Sequence, residues 1–155
     1  MQRYSFLDIQ SFASQIYGGK PLLMVPYAYT VTFTALAPGA QQSQSLSITA
    51  NADFILTALR YRASIGTAQN VSTKTAAYAR VLITDSGSNE QFTNAAVDLE
   101  NYSTNGGDSR DLPFPRFLQG RTALTFQMTN YAPTAETYST IDLFLEGVLV
   151  RAVGG

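Results

Sequence analysis

The residues of this chain that could carry chemistry are its carboxylates and its oxygen-rich turns, because it contains neither histidine nor cysteine. Without histidine it lacks the commonest general base at neutral pH, the commonest transition-metal ligand and the base of a Ser-His-Asp triad. Without cysteine it has no thiolate nucleophile, no thiolate metal site and no disulfide. Paired carboxylates remain, and glycosidases show that two can suffice. Glu90, Asp98 and Glu100 are the candidates, but nothing in their spacing makes them converge, and solvated acids near a turn are the simpler reading.

The run Asp85-Ser86-Gly87-Ser88-Asn89-Glu90 is rich in oxygen ligands. It is too short for an EF-hand loop and has no carboxylate or amide at its third position, so a hairpin turn is expected. Asn105-Gly106-Gly107-Asp108 could form an anion-binding nest or a cation site, and a loop tip is the plainer assignment. Gly18-Gly19-Lys20 is no phosphate loop: a second spaced glycine and the hydroxyl residue after lysine are missing, and a helical pattern precedes it. The expectation is a protein that is not an enzyme, with no cofactor and no metal site.

Elements that must position these residues follow from periodicity. Residues 5–17 place Phe6, Ile9, Phe12, Ala13, Ile16 and Tyr17 at a 3.6-residue period. Ser5 with Asp8 predicts a capping box, and Gly18-Gly19 a stop. From Val25 the period changes to two. Val25, Tyr27, Tyr29, Val31 and Phe33 share one face of a strand over 25–34 that is expected to be central, with Val31 and Phe33 buried. Further strands are predicted over 45–50, 53–63 and 78–85, the last with a partner over 91–97. Long loops are predicted over 64–76 and 100–120.

The stretch Leu112 to Val150 is the most patterned. LPFPRFLQG reads as a proline-braced loop, because Pro113 and Pro115 each remove a backbone donor and hold their neighbours extended. Leu124, Phe126 and Met128 alternate with polar residues, and Ile141, Leu143 and Leu145 alternate with Asp142, Phe144 and Glu146. Together they predict a long terminal hairpin entered through that loop.

The fold class expected is all-β, a jelly-roll or Greek-key sandwich of about eight strands with a short N-terminal helix or arm. Residues 1–24 form the arm and 25–155 the sandwich. The arm is expected to be a docking element outside the sandwich core, with packing across one sheet of its own domain as the alternative. A chain of 155 residues suits a single domain.

The chain is 45% hydrophobic but only 14% charged, against about 25% in typical domains. Such a surface suits a protein that lives packed against neighbours. Net charge is −1, lysine occurs only at positions 20 and 74, and the arginines are scattered; a nucleic-acid partner is not expected. No apolar run is long enough to span a bilayer, so no membrane partner is expected. No secretory leader is read at the start, and synthesis in the cytoplasm is expected.

The LPFPRFLQG loop, the LTFQMTN strand end and the IDLFLEGVLV final strand resemble the small jelly-roll proteins that cement or decorate the capsids of tailed bacteriophages. The resemblance covers about the last forty residues well and the middle of the chain by rhythm. It implies a structural virion protein on the outer capsid surface, whose partners are the major capsid protein and further copies of itself, as a dimer or trimer. Candidate partner-binding residues are the helical stripe Phe6, Ile9, Phe12 and Ile16, the loop aromatics Phe114 and Phe117, and the flanking Arg110 and Arg116. Pairing of those arginines with acids of their own loop is an equal alternative. A carbohydrate- or receptor-binding sandwich, as in a phage fibre or tail component, is the rival class. The absence of tryptophan weighs against it.

Overall fold

A computed structural model of the protein describes residues 4–65, 77–102, 110–132 and 137–153. The loop tip 105–108 and most of the predicted 64–76 loop lie outside the described residues. Helix α1 spans Phe6–Tyr17 and is followed by strands β1 (Leu22–Leu36), β2 (Gln41–Ser47), β3 (Asp53–Ile65) and β4 (Ala79–Asp85). Then come β5 (Glu90–Gln91), β6 (Val97–Asp98), a 3-10 turn over Leu99–Asn101, β7 (Arg110–Leu118), β8 (Ala123–Asn130) and β9 (Tyr138–Ala152).

All pairings are antiparallel, and they are nested. β1 pairs β9, β2 pairs β8, β3 pairs β7, and β4 pairs both β5 and β6. Successive pairs alternate between two sheets, ordered β1-β9-β3-β7 and β2-β8-β4-β5. A ribbon of nested pairs rolled alternately into two facing sheets is a jelly roll, so the all-β sandwich read from the sequence is the fold. The described residues hold nine strands, and the expected 91–97 partner of β4 is broken into two two-residue pieces.

Between the sheets lie Phe33, Phe54, Tyr61, Phe126 and Tyr138, each 1% exposed or less. Buried polar tips find partners, as low-dielectric surroundings demand. Tyr138 Oη accepts from Tyr78 N at 2.9 Å, and Asn130 Nδ2 donates to Leu36 O at 3.0 Å. In β3 the inward face changes parity, from Phe54 and Leu56 to Leu59 and Tyr61. A register shift between Leu56 and Ala58 absorbs the extra residue. Gly147 in β9 is there because a Cβ would lie 2.0 Å from Ile55 O and 2.8 Å from Phe54 Cζ.

Three expectations are corrected. β8 and β9 are not a hairpin: β8 lies between β2 and β4, and β9 between β1 and β3 in the other sheet. Alternation reports which face is buried, not which strand is the neighbour. Residues 110–118 are a strand and not a loop. Its two prolines are tolerated because β7 is an edge strand. β1 also lies at an edge, so the 25–34 strand is not central, although Val31 and Phe33 are buried as expected. Smaller shifts move β1 out to 22–36 and β2 back to 41–47.

Helix α1 is capped as its sequence predicts. Asp8 N donates to Ser5 Oγ at 3.1 Å and Ser5 N donates to Asp8 Oδ2 at 3.0 Å. Gly18 ends the helix in the left-handed region at φ 65°. A helix this short is marginal alone. It is held by the outer face of the first sheet, where Ala13 is buried on Ile55, Val148 and Val150, with Ile9, Phe12 and Tyr17 beside it.

Candidate functional site

The candidate residues gather on one flank, where α1 and the edge strand β7 lie side by side. The geometry of β7 comes from its register. Leu56 pairs with Arg116 and Ala58 with Asp111. Thr57 alone therefore spans on β3 what Leu112, Pro113, Phe114 and Pro115 span on β7. The surplus cannot lie flat in the ladder, and the two prolines could not donate to it in any case. The segment bows outward, and Phe114 at its crest is 81% exposed, the most exposed large apolar side chain described.

The bow stands next to the start of the helix, because the Tyr4 hydroxyl donates to Leu112 O. Phe6 and Leu7 follow Tyr4 and are 64% and 69% exposed. Phe6 and Leu7 thus open the helix just after the residue that is tied to the Phe114 bow. Leu7 falls outside the predicted stripe.

The structure divides the other candidates. Ile9 and Phe12 pack on the domain's own sheet, while Ile16 overhangs it and stays exposed. The middle of the helical stripe is thus covered and its two ends are not, so the arm is docked onto its own sandwich. Phe117 is half-buried beneath the helix, edge-to-face with Tyr17 at 6.2 Å between ring centroids. The Tyr17 hydroxyl donates to Asp53, whose other oxygen accepts Gly120 N at 2.7 Å. This ties the helix end to the turn between β7 and β8. Burial, helped by that carboxylate, pushes the Tyr17 phenol above its ordinary range.

Arg116 reaches across the seam between the two sheets. It meets Glu90 at 3.3 Å on β5 and lies 4.1 Å above the Phe92 ring. Its partner among the described residues is therefore an acid on a distant strand. Arg110 pairs in register with Leu59; its side chain lies outside the described residues.

The chemistry-bearing candidates are dispersed. Glu90 holds Arg116, Asp98 holds Arg80 at 3.2 Å, and Glu100 accepts from the Tyr61 hydroxyl. The oxygen-rich run is the β4–β5 turn, in which Asp85 Oδ1 accepts Gly87 N at 2.9 Å and Asn89 takes φ 59°. Between that turn and β7 lies an open cleft of about 390 Å³ lined by Asp85, Glu90, Arg116 and Gln119. Among the described residues, no group of three or more Asp or Glu gathers that could hold a metal ion. No described helix is long and apolar enough to cross a membrane.

The class defined by fold and flank is a jelly-roll sandwich with an aromatic crest at one edge. No family model, curated protein or solved structure matches the chain.

Proposed function

We propose that this protein is a structural component of a tailed-phage virion. It sits on the outside of the capsid and cements or decorates adjacent capsid subunits. The exposed Phe114, Phe6 and Leu7 contact the major capsid protein. The observation that carries this reading is Phe114. An aromatic raised on a proline-braced bow contributes nothing to its own core and costs little entropy to present, because the prolines restrict it. Aromatic anchors of this kind dominate protein interfaces. Repetition over a shell lets modest contacts act together.

The test is electron microscopy of the particle that carries this chain, combined with co-sedimentation of the purified protein on shells that lack it. The expected result is outer-shell density with the Phe114 flank against the capsid. Phe114→Asp should weaken binding at least about ten-fold, or about 1.4 kcal/mol, without moving Tm. Density at a fibre tip, or undiminished binding by the variant, would overturn the proposal.

A further inference from the structure

On the opposite flank, β1 outruns the sheet that faces it. β1 covers Leu22–Leu36, whereas β2 covers only Gln41–Ser47. The end of the overlap is marked where Thr49 N donates to Tyr29 Oη at 3.1 Å. Residues before Tyr29 extend past the second sheet. On their outer face α1 covers Leu22 and Met24. On their inner face Leu23, Val25 and Tyr27 have the same parity as the buried Val31 and Phe33, yet are 45%, 41% and 46% exposed. Edge-to-face rings run from this patch into the core, Tyr27 on Tyr29 at 4.9 Å and Tyr29 on Phe54 at 5.0 Å.

The charge pattern indicates what covers the patch. Residues 21–52 contain no Asp, Glu, Lys or Arg, so β1, β2 and their turns present a flank without charge. A surface placed against itself across a two-fold axis sets each charge near its own copy, and like charges so juxtaposed are repelled. The β5–β7 flank, with Glu90, Asp98 and Arg116, carries that liability. On this flank neither β1 nor β2 carries any charge. Arg151, in register with Leu23, is the charge at its rim.

Backbone geometry decides how such a contact is made. Gln42 Nε2 donates to Thr34 O from β2, and Val153 N donates to Pro21 O from the end of β9. Even-numbered residues of β1 therefore turn their backbone groups away from β9, and odd-numbered ones toward it. Pro26 is even-numbered and has no N–H to offer at that free edge, which interrupts any continuous ladder with another strand. The contact is made by side chains. We infer that the inner-face patch of Leu23, Val25 and Tyr27 is a self-association surface that seats the same patch of a second copy in a closed two-fold dimer.

Sedimentation velocity of the full chain, from dilute to concentrated solution, tests this. The wild type is expected to sediment as a dimer. Leu23→Asp and Tyr27→Asp, made separately so that one folded variant suffices, should each yield monomer with unchanged circular dichroism. Phe114→Asp, which disables the proposed capsid contact, should remain dimeric, so the two proposals fail independently. A wild type that stays monomeric at the highest concentration, or a dimer that survives a folded patch variant, would refute the inference.

Discussion

The two seams where the sheets meet solve one problem by different means. At the β1/β2 seam the chain turns directly from one sheet into the other through residues 37–40, and closure comes from uncharged groups such as Gln42 on Thr34 O. At the β7/β5 seam no turn joins the two edge strands directly. Arg116 spans the gap to Glu90 and Phe92 instead. Covalent continuity leaves the first seam free to be neutral and apolar. The second needs a long, directional side chain. The comparison teaches that a charge-poor composition need not be spread evenly: here it is concentrated on one flank.

Substitutions should separate the seams. Phe33→Ala, on β1 at the neutral seam, removes a fully buried ring and should cost about 3–5 kcal/mol in chemical denaturation. A loss comparable to that of an exposed site would mean that β1 contributes no core.

Alkaline pH should act next. The Tyr17, Tyr61 and Tyr102 phenols are raised from the ordinary value of 10.0, in each case chiefly by burial, with Asp53 and Glu100 adding to the first two. The folded chain holds these protons more tightly than the unfolded chain does. The stability they contribute is complete below pH 10 and is lost as pH rises above it. Absorbance titration should show these three phenols ionising late, and Tyr61→Phe should reduce the alkaline sensitivity. Simultaneous ionisation of all nine near pH 10 in folded protein would contradict the burial.

Arg116→Ala should have the smallest effect. Its ion pair is largely solvated on the Glu90 side, which is 70% exposed, and exposed pairs contribute about 1 kcal/mol or less. Added salt should narrow the difference from wild type. A loss as large as that of Phe33→Ala would erase the contrast between the seams.

What was legible in the sequence was local. Ser5, Asp8 and Gly18 delimit α1 because capping depends on groups within one turn of chain. The alternation through Ile141, Leu143 and Leu145 identified the inward face of β9, since side-chain direction in a strand is set residue by residue. The turn at 85–90 was readable from its own Asp, Gly and Asn. At the candidate site, Phe114 could be singled out because the flanking prolines restrict the backbone whatever surrounds them.

Neighbours were not legible. That β7 is a strand follows from Ile55 and Leu56 pairing with Phe117 and Arg116 far along the chain, and that Ile9 and Phe12 are covered follows from where Val148 and Val150 lie. Nor does the even spacing of Leu23, Val25, Tyr27, Val31 and Phe33 reveal that the first three extend past a facing sheet that ends at Thr49. By itself the sequence determined which residues turn the same way, because that is a property of backbone geometry at each residue. Only the tertiary structure decided which of those faces meets another surface, because burial depends on strands brought together from distant parts of the chain.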